Sequence, residues 1–191
     1  MNQYVLLAKL AVEKYVKEGE IISPPSDLPK EFFERKSGTF VTIEMVRQAH
    51  HKELRGCIGT YLPTRPNIAE EIIRNAVAAA TEDYRFGSIK KEELPYLSYT
   101  VYILSYPELV KDLKEMNPKK FGIIVKTAPF AYPNEDVVFD GHVPFKSGLL
   151  LPDLEEIDTI DEQFSIACQK GGIDSTKEKI FIYKFTVEKY L

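Results

Sequence analysis

Tryptophan is absent from this chain, cysteine occurs twice and histidine three times in 191 residues. Cys57 and Cys168 lie far apart and are too few for a disulfide framework, so reduced thiols are expected. With no Cys-x-x-Cys, no His-Glu-x-x-His and no calcium-loop pattern, metal binding has no motif behind it. Gly-x-Gly-x-x-Gly and phosphate-loop patterns are missing as well, so no cofactor is expected. Neither sign of charge dominates. The 25 basic residues against 29 acidic ones give a formal net charge of −4, which supplies no global field to hold a polyanion. Nucleic acid is therefore not the expected partner. The longest apolar windows, at 77–80 and 148–151, fall far short of the ~20 residues a membrane-spanning helix needs. No basic segment followed by an apolar run opens the chain, and the cytoplasm is the expected compartment.

What is present is the profile of a folded protein: 44% hydrophobic and 28% charged residues with 12 prolines and 10 glycines, long enough to bury a core as one domain or two small lobes. Apolar residues recur at roughly helical spacing over 3–18, with Gly19 as the expected C-terminal cap. A loop or short helical turn is expected through 29–36. The β-branched and aromatic run 38–46 reads as a strand, and a polar tip at 47–53 separates it from a second run at 54–61. Together they suggest an antiparallel hairpin. A helix follows to about Glu82, with Pro66 near its first turn, Glu70 and Glu71 placed for its dipole, and a small apolar middle that predicts burial on more than one side. Strands are expected at 96–105, 121–126, 137–139, 148–151 and 180–187, and a last helix at 159–170 stopped by Gly171-Gly172. The pattern is α+β with a largely antiparallel or mixed sheet and flanking helices. The aromatic and proline-rich stretch 128–136 reads as an excursion, and a second, smaller lobe would lie around it in the C-terminal half.

The hexapeptide Leu54-Arg55-Gly56-Cys57-Ile58-Gly59 carries the most chemistry. On a regular strand Leu54, Ile58 and Thr60 point one way and Arg55, Cys57 and Tyr61 the other, so guanidinium and thiol share a face. Gly56 and Gly59 weaken a strand and make sense where another backbone or a ligand approaches closely. A fixed positive charge beside a cysteine favours its thiolate. The plain alternative is a small buried apolar Cys57 with Arg55 as a surface charge. Beyond the long helix, Asp83 and Arg85 are set to clamp a polar ligand or to pair with the hexapeptide, unless they form a structural ion pair at the helix end. A thiol mechanism also needs a base, and none of His50, His51 and His142 is placed beside the cysteine by its spacing. The first two read as solvated residues of the hairpin tip. Lys111, Lys114, Lys119, Lys120 and Lys126 read as a solvated rim, and Cys168 as core packing.

The hexapeptide resembles the signature of the AMMECR-type domain. Gly38-Thr39-Phe40-Val41-Thr42, the segment 72–80, Glu82-Asp83-Tyr84-Arg85-Phe86, Glu92-Glu93-Leu94-Pro95, Gly148-Leu149-Leu150-Leu151-Pro152 and Tyr183-Lys184-Phe185 follow in the family's order, over nearly the whole chain. The chain departs from the family pattern at Tyr84, where proline is usual, at Asp153, where glutamine is common, and in a longer stretch at 127–146. The resemblance implies an α+β fold with a larger and a smaller lobe around a cleft, and motif residues near that cleft. No activity is established for the family. Its frequent association with Memo-like and radical-SAM proteins implies a shared pathway and a partner of that kind. The expected site is Arg55, Gly56, Cys57, Gly59, Asp83 and Arg85, taking a small polar or anionic ligand. Three readings of it stand open. One is a binding site that doubles as a thiol enzyme, with Cys57 as nucleophile, Arg55 stabilising charge and Asp83 orienting Arg85 or handling a proton. The others are an interaction module for a Memo-like or radical-SAM partner, and RNA binding.

Overall fold

The computed structural model describes residues 2–47, 51–128 and 145–191. The chain divides into two compact units, Met1–Tyr106 with Glu188–Leu191, and Pro107–Val187.

The first unit is built on a four-stranded sheet of order β2-β1-β3-β8, formed by β1 (Thr39–Val46), β2 (Lys52–Gly59), β3 (Leu97–Leu104) and β8 (Val187–Tyr190). β1 pairs antiparallel with both β2 and β3. In the β1–β3 ladder Val41 faces Val101 and Ile43 faces Tyr99, all four buried on the face that meets the helices. Withdrawing a valine or isoleucine side chain from water at such a position stabilises by about 1.5–3 kcal/mol.

The helices covering that face are α1 (Gln3–Glu18) and α3 (Ile68–Thr81), which pack on each other, with α1 against β3 and α3 against β1 and β2. α1 starts where the Asn2 side chain accepts the Tyr4 N–H, and it ends at Gly19 in the left-handed region at φ 73°. Its Tyr4, Val5, Leu7, Ala8, Ala11 and Val12 are buried, whereas Leu6 and Leu10 face outward. α3 begins just after Pro66, near where the sequence places its first turn. Asn67 is the cap, accepting the Glu70 N–H at 3.0 Å, and Pro66 precedes it. As the small apolar middle predicts, α3 is buried around most of its circumference. A four-residue helix, α2 (Glu31–Glu34), inserts the fully buried Phe32 beneath Tyr4, ring centroids 4.4 Å apart.

The second unit carries a sheet of order β4-β7-β5-β6, from β4 (Glu108–Leu109), β5 (Gly122–Lys126), β6 (Ser147–Leu150) and β7 (Phe181–Phe185). β7 pairs antiparallel with β4 and β5, and β5 antiparallel with β6. α4 (Ile160–Gly171) packs on β5 and β6. It opens with a reciprocal Thr159/Glu162 capping box and closes on Gly172 at φ 61°. The architecture is thus α+β, with two antiparallel four-stranded sheets and flanking helices. The apolar run 180–187 is not one strand: it breaks at Thr186, and β8 joins the other sheet. The strand expected at 137–139 lies outside the described residues. Among the described residues no helix is long and apolar enough to cross a membrane.

Candidate functional site

β2 is an edge strand whose alternation breaks once. Along β1 the partners run Thr42 to Cys57 and Ile43 to Gly56, but Glu44 pairs with Leu54, so Arg55 is the extra residue of a β-bulge. This corrects the strict alternation expected from the sequence: Ile58 packs on the core, while Leu54 is 42% exposed. The two glycines are explained by backbone approach. A Cβ on Gly56 would strike the Ala79 carbonyl oxygen of α3, and one on Gly59 would strike Phe40 and the Thr39 carbonyl oxygen.

Cys57 is half-buried beside Thr42, whose Oγ1 donates to the Sγ at 3.2 Å. Its backbone N–H donates to Asp83 Oδ2 at 2.9 Å, so the edge of β2 is tied to the turn that follows α3. In that turn the Phe86 N–H reaches the Asp83 carbonyl oxygen at 3.0 Å. The Arg85 guanidinium folds back on Asp83, with Nε to Oδ1 at 2.9 Å and Nη2 to Oδ2 at 2.7 Å. Asp83 is only 5% exposed, whereas the Arg85 side chain is 45% exposed and lies over the Phe86 ring at 5.3 Å. The guanidinium of Arg85 holds the Asp83 carboxyl at about 2, against an ordinary 3.8, with the Cys57 and Arg85 N–H groups helping against the cost of burial. A carboxylate that keeps its charge to such low pH positions its neighbours and is a poor proton shuttle near neutrality. Cys57 also lies within electrostatic range of Arg85 and of Tyr102 on β3, whose hydroxyl is pushed up to about 12, chiefly by burial.

Arg55 is placed differently. Its Nε and Nη2 meet Glu93 at 2.7 and 3.1 Å, and Nη1 and Nη2 donate to the carbonyl oxygens of Gly87 and Ser88 at 2.7 and 3.2 Å. The side chain is 16% exposed. Arg55 in turn holds the Glu93 carboxyl below the usual range, with the Lys90 N–H adding to the effect. The structure thus brings Cys57, Asp83 and Arg85 into one hydrogen-bonded group and turns Arg55 toward the short 3-10 helix at Lys91–Tyr96.

Several of these partners carry no signal in the sequence. Glu93 and Thr42 stand inside recognisable segments, yet only a bulge at Arg55 and the β1–β2 register bring them to the site. Glu71 lies in the first turn of α3, where the sequence places it for the dipole, and its fully buried carboxylate also accepts from Thr60 Oγ1 at 2.6 Å, Thr64 Oγ1 at 2.9 Å and the N–H groups of Thr64 and Arg65, both at 2.7 Å. It thereby fixes the loop leaving β2. His51 is exposed at the hairpin end, six residues from Cys57 along an extended strand, roughly 20 Å away. His50 and His142 lie outside the described residues. Among the described residues no group of three His, Cys, Asp or Glu is arranged to hold a metal ion. In the lysine group Lys119 pairs with Asp158 at 2.7 Å and Lys126 is buried, so those five do not make one uniform surface. Cys168 is buried on α4, and burial pushes its thiol up.

The residues of this group sit in a chain with wide kinship. A protein of Thermotoga maritima is 44% identical over 189 residues, covering 99% of this chain and 97% of its own length. Protein CA_C1420 of Clostridium acetobutylicum is 37% identical over 191 residues, and there the chain spans only 35% of the relative. The crystal structure of uncharacterized protein PH0010 from Pyrococcus horikoshii superposes with a TM-score of 0.79 at 32% identity, covering 97% of this chain and 88% of that one. The AMMECR1 family model matches residues 5–190, and with these relatives across the full fold the chain belongs to the AMMECR1 family.

Proposed function

We propose that Cys57 and Arg85 form a recognition site for a small anionic ligand, in which the guanidinium takes the negative charge and the thiol faces the bound molecule. The observation that carries this reading is the double role of Asp83. One buried carboxylate accepts the Cys57 N–H and grips the Arg85 guanidinium, so strand and cation are held in a fixed relation before any ligand arrives. Arg85 keeps an exposed edge, and an arginine so oriented suits a planar carboxylate or a phosphate. The Thr42 hydroxyl, donating to the sulfur, stabilises negative charge there, which favours a nucleophilic role for Cys57 on the bound anion. Arg55 contributes the scaffold that holds β2 against the 87–93 segment.

Alkylation with two reagents of nearly equal size tests the reading. Iodoacetate carries a carboxylate and iodoacetamide does not, so a cation beside the sulfur raises the ratio of their rates. The ratio at Cys57, read by peptide mapping that separates it from Cys168, is expected to fall roughly fivefold in Arg85→Gln, the effect of about 1 kcal/mol of charge attraction. An unchanged ratio means that Arg85 does not serve the thiol, and the reading fails.

A further inference from the structure

A cavity of about 440 Å³ opens beside the segment that follows α1. Its apolar wall is Ile21, Ile22, Pro24 and Ile73, and its polar residues include Arg65 and Glu70. The volume lies in the range of small-molecule sites, and the lining divides between that apolar wall and the polar Ser23, Arg65, Glu70 and Arg74. Ile73 stands six residues before Ala79, the residue that touches Gly56, so the cavity lies about 9 Å along α3 from that contact.

The two charges are the informative part. Arg65 and Glu70 face one space without an ion pair between them, and the Arg65 guanidinium has no partner among the described residues. The Arg65 side chain is exposed and Glu70 is half-buried. The Arg65 N–H donates to the buried Glu71 at 2.7 Å, which anchors the arginine's backbone. Asn67 Nδ2 donates to Glu70 Oε1 at 2.8 Å, which orients that carboxylate and leaves Oε2 without a partner among the described residues. The second cation on this wall, Arg74, is closed on Glu82 by two bonds of 2.9 Å, so it adds little further positive charge. A simple anion would meet Glu70 as a repulsive neighbour, and a simple cation would meet Arg65 in the same way. A molecule carrying both charges and an apolar body satisfies all three surfaces.

We infer that this cavity binds a zwitterionic amino acid with an apolar side chain, its carboxylate on Arg65, its ammonium on Glu70 and its side chain on the isoleucine and proline wall. The inference uses none of the residues around Cys57 and stands or falls separately from that site. Titration of the whole protein with L-leucine, followed through the methyl resonances of Ile22 and Ile73, is the direct test. Both are expected to shift in a saturable way. 4-Methylpentanoate, which lacks the ammonium, leucinamide, which lacks the carboxylate, and glycine, which lacks the apolar body, are each expected to bind at least about tenfold more weakly. Arg65→Gln and Glu70→Gln should each lower leucine affinity by a similar factor while the circular dichroism spectrum stays that of the parent. Methyl signals that ignore leucine at millimolar concentration overturn the inference, and so does 4-methylpentanoate or leucinamide binding as well as leucine. These analogue comparisons use the parent protein, so they decide the matter even where a variant does not fold.

Discussion

The corner at Arg55 and the turn at Arg85 put one functional group to opposite uses. Arg55 is largely buried and gives hydrogen bonds to Glu93 and to two backbone carbonyl oxygens, so its donors tie separate segments together. Arg85 is nearly half exposed, and its side-chain hydrogen bonds go to Asp83 alone among the described residues. Both arginines stand close to Cys57 in the fold or the sequence, yet the first gives hydrogen bonds from four of its five N–H donors and the second from two, so the second keeps more of them for a ligand. Availability of a cation is decided by how many of its donors the protein itself engages, and not by its place in a recognisable motif.

The strongest way to break the contrast is to displace the strand that carries Arg55. Gly56→Ala forces a Cβ into the Ala79 carbonyl oxygen, a backbone atom that moves only with α3. Urea denaturation should show a loss on the order of 3 kcal/mol or more, or no folded protein at all. A loss well below that would mean that β2 is loosely seated and that the Arg55 corner is not the rigid member of the pair. Arg55→Ala comes next. It leaves two carbonyl oxygens without the arginine's donors and Glu93 with the Lys90 N–H alone, for an expected loss of about 2 kcal/mol, and a double-mutant cycle with Glu93→Ala should give a coupling of about 1 kcal/mol. The ratio of iodoacetate to iodoacetamide rates at Cys57 should change little in the same variant. A large change there would return Arg55 to the thiol.

The contrast also shows how far the sequence could be read. Hydrophobic period and capping residues located α1, α4 and most of the strands, because Gly19, Thr159 and Gly172 act within a few residues of themselves. The break at Thr186 was not legible, since the run from Ile180 onward is uniformly strand-like and only tertiary pairing sends β8 to the other sheet. At the site, Cys57, Asp83 and Arg85 were nameable as residues, but their partnership rests on a backbone N–H meeting a carboxylate from a turn 26 positions away. The face assigned to Arg55 failed for a local reason: one extra residue in a bulge ends the two-residue period on which side-chain direction depends. Glu71 was legible only in its place in the first turn of α3. Helix position marked it as a dipole partner, while the loop at 60–65 closed over it and made it the acceptor for that loop's hydroxyl and N–H groups.

At the Arg85 turn the expected stability effects are smaller and depend on pH. Asp83 titrates at about 2 in the folded protein against an ordinary 3.8, so its charge stabilises the fold above about pH 4 and that contribution is lost as pH falls through about 2. Asp83→Asn should therefore cost about 1–2 kcal/mol near neutrality, since the amide can no longer hold both the Cys57 N–H and the guanidinium as an anion does. The gap between the two proteins in urea should narrow below about pH 4 and close toward pH 2. A gap that does not depend on pH would show that shape, and not charge, is what Asp83 contributes.

The smallest effect on stability is expected from Arg85→Gln, and it separates the causes acting on Asp83. Removing an exposed guanidinium lets water reach the carboxylate it covered, so the cost should stay near 1 kcal/mol instead of the several kcal/mol of a deeply buried orphan charge. The hydrogen bonds from Arg85 are the largest influence holding the Asp83 carboxyl down, and the Cys57 and residue-85 N–H groups remain after the substitution. Carboxyl resonances followed against pH should thus show Asp83 climbing from about 2 part of the way back toward 3.8. If it does not climb, the backbone donors alone keep the aspartate charged. Arg85 is then a passenger on Asp83, and the turn ranks with the Arg55 corner as scaffold.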